Sequence, residues 1–350
     1  MSPTPRGARP AGTAGQGLTV AVTGPTGEIG KPFIRALERS RDVKRVVGMA
    51  RRPFDPAAHG WAKTRYVQGD VLSEDDVARL VDGADVVVHL AFIVLGASDK
   101  TRDINLEGSR NVFRAAVAAG AKRLVYTSSV AAYGFHEDNE PPLTEDVPTR
   151  GTDDFPYSAQ KAELERVLAE AVTGSKTDAY VFRPCIVAGP DARMLIQAIP
   201  YVSIADRLPG VVQRLLDSMP ILKPVIPDPG IDFQLVHHDD VASALVAATV
   251  GKGAPGVYNL AGDGEIRFSD LADALGWYSV PVPELAVDAA AEVIPRLPFV
   301  PAEANFLEAG RQSVVMSTAK AKRELRWRPK HTSRETLEAV VAAHQEDLSG

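Results

Sequence analysis

The chain of 350 residues is 45% hydrophobic and 24% charged, enough apolar material for one large α/β domain with a smaller appendage. A formal net charge of −6 argues against the broad basic face that grips nucleic acid, and the lone cysteine, Cys185, excludes a disulfide framework or a CxxC metal centre and suits a reducing cytoplasm. No stretch approaches the roughly 18 uninterrupted apolar residues of a membrane span.

Residues 1–17, MSPTPRGARPAGTAGQG, are rich in Pro, Gly, Ala and Arg without an apolar core, and read as a disordered leader and not a signal peptide. From residue 18 to about 189, apolar β-branched runs alternate with helical patterns, as in repeated βαβ units. Strands are expected at Leu18–Val22, Arg45–Met49, Thr64–Gln68, Val86–Leu90, Arg123–Thr127 and Ala179–Arg183, and helices at Ile29–Glu38, Glu74–Leu80, Ile104–Ala119 and Tyr157–Ala171. Such alternation predicts an α/β fold, a parallel sheet covered by helices, with its ligand crevice at the carboxyl ends of the strands. After RPCIVAGP the regularity weakens, and residues 190–230 read as a substrate-side cap. FQLVHHDDVASALVAA returns to strand then helix, with Asp240 a candidate N-cap, and an amphipathic helix is expected near Arg334–Glu346. The chain therefore divides into 18–189 plus about 231–262, a nucleotide-binding part, and about 190–230 plus 263–350, the cap. No fixed-period repeat is visible.

In TVAVTGPTGEIG a strand enters a helix through Gly24, Gly27 and Gly30, so that main-chain amides and the helix N-terminus can approach a pyrophosphate. The spacing is GxxGxxG, and a tight turn with close packing would also require glycine. At the end of the second strand, VGMARRP offers Arg51 and Arg52 where an acidic residue would hold the ribose hydroxyls of NAD; arginine there accommodates the 2′-phosphate of NADP, unless the pair is only a solvated basic turn. Asp70, in QGDV at the end of the third strand, could accept a hydrogen bond from an adenine amino group or be an ordinary turn aspartate.

Among the eight tyrosines only Tyr157 has a lysine, Lys161, four positions later on the same helix face. An ammonium beside a phenol stabilises phenolate and lowers its pKa from about 10 toward neutrality, so the phenol can exchange a proton with a carbonyl or an alcohol. His237 to Asp240, HHDD, suggest metal ligands, but successive strand residues point to opposite faces, so a strand end and helix cap is the preferred reading and no metal is expected. His89 reads as a satisfied core histidine and Cys185 as a buried small hydrophobe.

Taken in order, TGPTGEIG, GDV, VVHLAF, INLEGSRNV, TSSVAAYG, YSAQK, RPCIVAGP, VHHDDVASAL and MSTAKAKRELRWRP make the chain resemble the extended short-chain dehydrogenase/reductase superfamily, in its NAD-dependent epimerase/dehydratase-like branch. The resemblance covers nearly everything after residue 17. It implies a Rossmann-type doubly wound parallel sheet with a smaller, mostly C-terminal substrate-binding cap. Tyr157 is then the acid/base, Lys161 tunes it and holds the nicotinamide ribose, and Ser129 donates to the reacting oxygen, with Ser128 and Thr127 as alternatives in register. Asn105 supports the lysine or the substrate, or is a structural helix-start residue. The resemblance further places Thr26, Glu28 and Ile29 in the nucleotide loop, Val71 beside Asp70 at the adenine, Leu90, Ala91 and Phe92 after the fourth strand, Thr127 after the fifth, and Pro184 and Ile186 near the nicotinamide. It also implies a homodimer formed by the helices at Ile104–Ala119 and Tyr157–Ala171.

Nucleotide-sugar epimerases and dehydratases of this branch commonly carry an asparagine shortly after the arginine of the RP segment, where this chain has Ile186, and TSSVAAYG offers no carboxylate for an elimination. The segment VVQRLLDSMPILKPVIP is apolar enough to line a hydrophobic pocket. With Arg51 and Arg52, these features favour an NADP-dependent reductase or dehydrogenase of a hydrophobic small molecule, over an NAD-dependent nucleotide-sugar epimerase or dehydratase and over a non-catalytic dinucleotide sensor.

Overall fold

The computed structural model describes residues 17–94, 99–153, 155–197, 223–282 and 313–349. The leader up to residue 16, most of the apolar segment that begins at Val211, and much of the expected cap lie outside the described residues.

The chain runs β1 (Leu18–Thr23), α1 (Gly30–Arg39), β2 (Val43–Ala50), β3 (Thr64–Gln68), α2 (Glu74–Val81), β4 (Val86–His89), α3 (Asp99–Ala118), β5 (Arg123–Thr127), α4 (Pro156–Val172), β6 (Asp178–Pro184), β7 (Ile186–Ala188) and α5 (Met194–Gln197). It continues through β8 (Val225–Asp228), β9 (Leu235–His237), α6 (His238–Thr249), β10 (Gly256–Leu260), α7 (Phe268–Leu275), β11 (Tyr278–Pro281), α8 (Ala319–Glu324) and α9 (Ser333–Ser349). Seven strands form one parallel sheet in the order β10-β6-β5-β4-β1-β2-β3. The pairs β7–β9 and β8–β11 are separate two-stranded sheets. The order reverses between β1 and β4, which is where an open α/β sheet splits its crossovers and opens a ligand crevice.

Strand alternation sends side chains to two apolar layers, as a sheet buried on both faces requires. Val20, Val22, Val86, Val88 and Val125 face Phe33, Ile34 and Leu37 of α1 and Val241 and Leu245 of α6. Ala21, Val87, Leu124 and Tyr126 face Val77 and Leu80 of α2, Val112 and Phe113 of α3 and Leu164 and Leu168 of α4. A third cluster joins Ala188, Ile196, Leu235, Ile266, Leu271, Leu337 and Val340. No helix among the described residues is long and apolar enough to cross a membrane.

The six expected strands of the sheet are present, their ends shifted by no more than two residues, and α3 begins five residues before Ile104. The seventh strand, β10, escapes the sequence pattern because Asn259 interrupts its apolar run. That asparagine is fully buried and satisfied only by distant groups: Oδ1 accepts from the Tyr133 hydroxyl (2.8 Å) and Nδ2 donates to the Leu143 carbonyl (3.1 Å). Asp240 is not the N-cap of α6. His237 caps it, with Nδ1 accepting from the Asp239 amide (3.2 Å), while the buried Asp240 accepts from the Lys330 and His331 amides (2.8 and 3.1 Å) and ties the C-terminal segment to α6.

Because a helical turn begins at His238, donor atoms of His237, His238 and Asp239 do lie within 4.8 Å of one another, against the expectation from strand alternation. His238 Nε2 accepts from the Asp191 amide (3.2 Å), which leaves Nδ1 to face the Asp239 carboxylate (3.1 Å). Bonds within the chain thus engage His237 Nδ1, both ring nitrogens of His238 and the Asp239 carboxylate.

Candidate active site

Gly24 has φ +70°, and a Cβ on it would press on the Ala91 amide at 2.9 Å, where the ends of β1 and β4 converge. A Cβ on Gly30 would strike the Gly24 carbonyl, because α1 starts against its own entry loop. Gly27 differs: it is exposed, and a Cβ there meets protein no closer than 3.5 Å. Its lack of a side chain is therefore not demanded by the fold and fits the approach of a group from outside the chain. The N-terminus of α1 reinforces this, with no side-chain cap and no acidic residue in its first turn. By contrast α2 has Ser73 as its cap and three acidic residues there. An α1 terminus left positive and uncapped suits a pyrophosphate.

Around this loop the expected contacts are sorted by geometry. Arg51 and Arg52 are exposed after β2, and neither guanidinium is in an ion pair or hydrogen bond among the described residues. The Asp70 carboxylate accepts from the Leu72 amide at 3.0 Å, holding the turn after β3, and Val71 is buried where Gly108 lets α3 approach to what would be 2.5 Å from an added Cβ. Thr23 Oγ1 accepts from the Leu90 and Ala91 amides (both 3.2 Å), so its proton goes to His89 Nδ1 (2.7 Å); His89 Nε2 then donates to Ser109 Oγ (2.9 Å), which donates to the Asn105 carbonyl (2.6 Å). The network assigns this tautomer. Burial holds His89 down at about 3, so it is neutral, the satisfied core histidine expected.

Asn105 is buried inside α3 and not at its start. Oδ1 accepts from the Ile93 amide (2.9 Å), and Nδ2 donates to the Ile93 carbonyl (3.0 Å) and to Gln160 Oε1 on α4 (2.9 Å). It fixes the chain after Phe92 against α4 and makes no bond to Lys161.

Beyond β5 the three adjacent hydroxyls separate. Thr127 Oγ1 is buried with no hydrogen-bond partner among the described residues. Ser128 Oγ donates to Glu165 (2.6 Å). Ser129 Oγ accepts from the Ala131 amide (3.2 Å) and lies near enough to the Tyr157 phenol to favour its ionised form, so of the three it is the hydroxyl that acts on that phenol. Helix α4 starts with Pro156 in its first turn, where a missing N–H is harmless, and Ser158 ties it to the Ala131 carbonyl (2.6 Å). Tyr157, Lys161 and Glu165 follow at successive four-residue steps along it.

The expected effect of Lys161 on Tyr157 is not what this arrangement produces. Nζ donates to the Thr127 carbonyl (2.9 Å) and the Tyr126 hydroxyl (3.3 Å) and sits 3.7 Å from the Phe92 ring centroid, but 5.8 Å from that of Tyr157. Burial raises the Tyr157 pKa, opposed by the Ser129 hydroxyl; burial pulls Lys161 down to about 7, opposed by Glu165. The phenol is thus kept protonated through neutral pH. Its ring is flanked edge-on by Phe92 (5.6 Å) and at a tilt by Phe155 (5.8 Å), and across the sheet end Pro184 is buried while Ile186 is 41% exposed.

Sequence reasoning missed the buried pair of Glu165 and Arg183. Glu165 holds Arg183 through Nε (2.9 Å) and Nη2 (2.6 Å), both side chains under 10% exposed, directly behind Ser128. Its position four residues beyond Lys161 was the available signal. Glu28, expected at the cofactor, turns its carboxylate to the Arg193 and Met194 amides (3.0 and 3.1 Å).

The fold is a Rossmann-type parallel α/β sheet, with Ser129, Tyr157 and Lys161 at the carboxyl end of its strands. The chain belongs to the NAD dependent epimerase/dehydratase family, whose model matches residues 20–261; it is a family of enzymes with an NAD(P) dinucleotide as typical cofactor. Human 3 beta-hydroxysteroid dehydrogenase type 7 is 36% identical over 166 residues, 45% of this chain and 45% of its own. The ceramide reductase of Caulobacter vibrioides is 29% identical over 231 residues, 65% of this chain and 60% of its own. The chain spans about half the length of the curated relatives it matches. The solved UDP-glucose 4-epimerase of Thermotoga maritima, 21% identical, superposes with a TM-score of 0.69 over 95% of this chain and 100% of its own, a likeness of fold.

Proposed function

We propose that the protein moves a hydride between NADP(H) and the carbonyl or alcohol carbon of an apolar small molecule. The observation that carries this reading is the Ser129–Tyr157 hydroxyl pair at the carboxyl end of the sheet, with the phenol ring flanked by Phe92 and Phe155. Gly24, Gly27 and Gly30 with the first turn of α1 would hold the pyrophosphate, Asp70 and Val71 the adenine side, and Thr127, Lys161 and the Pro184–Ile186 turn the nicotinamide side. When bound, the dinucleotide supplies or accepts the hydride. In reduction Tyr157 donates its proton to the substrate oxygen while Ser129 hydrogen-bonds the same oxygen; in oxidation Tyr157, as phenolate, removes the alcohol proton. The third core cluster, apart from the two on the sheet, supports the division into a nucleotide-binding part and a cap. A homodimer through the outer faces of α3 and α4 belongs to the same proposal.

Apolar substrates are also what the names of a steroid dehydrogenase and a ceramide reductase suggest. The test follows reduced-cofactor absorbance with a 3β-hydroxysteroid in the oxidising direction and a long-chain apolar ketone in the reducing direction, with UDP-glucose as competitor. Turnover of an apolar compound with added NADP(H) is expected; protein purified with retained NAD that interconverts UDP-sugars without added cofactor would overturn the reading.

For cofactor choice, Arg51→Ala combined with Arg52→Ala is expected to weaken NADP roughly 10- to 100-fold, the value of one or two charge-assisted hydrogen bonds, with NAD nearly unchanged. Titration of both dinucleotides checks this, and equal weakening would remove the phosphate-clamp assignment.

A further inference from the structure

Glu28 lies between Gly27 and Ile29, in the turn proposed to hold the pyrophosphate, yet its side chain leaves that turn. Oε1 alone accepts from two consecutive amides, Arg193 (3.0 Å) and Met194 (3.1 Å), and the residue is half-buried there. The receiving segment continues directly from β7 and the Ile186 side of the site. It bends at Gly189 (φ +133°), where a Cβ would meet the His238 ring at 2.6 Å. Asp191 donates its amide to His238 and pairs its carboxylate with Arg35 of α1 at 2.5 Å. Past Met194, Ile196 enters the third core cluster.

We propose that Glu28 is a positioning residue that couples dinucleotide binding at Gly27 to the placement of the substrate-side segment Gly189–Gln197. The physical basis is the sharing of one short turn. A ligand that fixes the Gly27–Ile29 backbone also fixes the one oxygen on which two amides depend, and such bonds weaken steeply when their geometry slips. The coupling is reciprocal, so whatever strengthens the Glu28 bonds when cofactor binds must strengthen cofactor binding by the same factor. Arg35 holds Asp191 from the body of α1, outside the phosphate turn, and so supplies a control contact in the same segment. The inference rests on dinucleotide binding at this loop and not on NADP preference or on the substrate.

The test is residue-resolved amide hydrogen exchange on the full chain, alone and with saturating NADPH or NADH, with dinucleotide affinity measured in parallel. In the wild type, bound dinucleotide is expected to slow exchange of the Arg193 and Met194 amides roughly tenfold, within the usual range of site-to-site coupling. In Glu28→Ala both amides should exchange fast with or without dinucleotide, and affinity should fall by a similar factor. Glu28→Gln, which keeps the accepting oxygen, should restore both effects, and Arg35→Ala should loosen the segment yet retain the response to dinucleotide. If Glu28→Ala does not fold, Glu28→Asp, one methylene too short, carries the same expectation. Binding that leaves these amides unchanged in the wild type, or protects them equally without Glu28, overturns the coupling alone; failure of the wild type to bind either dinucleotide overturns the coupling and the cofactor reading together.

Discussion

Tyr157→Phe is expected to lower turnover by roughly 10²- to 10⁴-fold, the range lost when a positioned acid/base is removed, while dinucleotide affinity stays within about twofold. The substitution removes the hydroxyl on which Ser129 acts and leaves the ring between Phe92 and Phe155, so packing is preserved. Direction matters for the pH profile. Burial holds the phenol above its usual range, so Tyr157 is in its acidic form through neutral pH and reduction should be flat there as far as this group is concerned. Oxidation needs the phenolate, so its rate should climb about tenfold per pH unit and not level off below the ordinary tyrosine range near 10. Initial rates in both directions between pH 6 and 10 check this. Levelling of the oxidation rate near pH 7 would mean that the Lys161 ammonium comes to bear on the phenol during catalysis, as the four-residue spacing first suggested. Turnover unaffected by Tyr157→Phe would remove the enzymatic reading and leave a dinucleotide sensor.

That contrast marks what a sequence can carry. The spacing of Tyr157 and Lys161 fixes a shared helix face, but not where a long flexible side chain ends; the Thr127 carbonyl and the Phe92 ring, 34 and 69 residues away in sequence, decide that. The parallel sheet was legible because valines at β1, β4 and β5 must fill two apolar layers. β10 was not, because Asn259 is tolerable only through Tyr133, Leu143 and Ser317, which lie in different parts of the chain. The glycine loop announced a tight entry into α1, yet all three glycines look alike in the sequence. Only the crowding around Gly24 and Gly30, and its absence at Gly27, separates a demand of the fold from room left for a ligand. Likewise TSS could not reveal which hydroxyl meets the phenol, since Ser128 is claimed by a glutamate from another element.

Glu165 leads to the second large effect. With Arg183 bound through two nitrogens and Ser128 on the same carboxylate, Glu165→Gln leaves a buried guanidinium without its countercharge and Lys161 without the anion that opposes its desolvation. Breaking one side of such a pair is expected to destabilise the fold by roughly 3–5 kcal/mol, a fall in Tm on the order of 5–10 °C for a chain of this size. The screening that discounts surface pairs does not apply, since both side chains are under 10% exposed. Replacing both partners, Glu165→Met with Arg183→Met, removes the two desolvation penalties together and should recover more than half of that loss; the remainder reflects Ser128, whose buried hydroxyl then lacks its acceptor. Thermal melts of the two singles and the double variant close the cycle. A double variant as unstable as the sum of its singles would mean that the pair does not act as a unit, and that the carboxylate serves mainly to hold Ser128, and through it the serine that meets Tyr157.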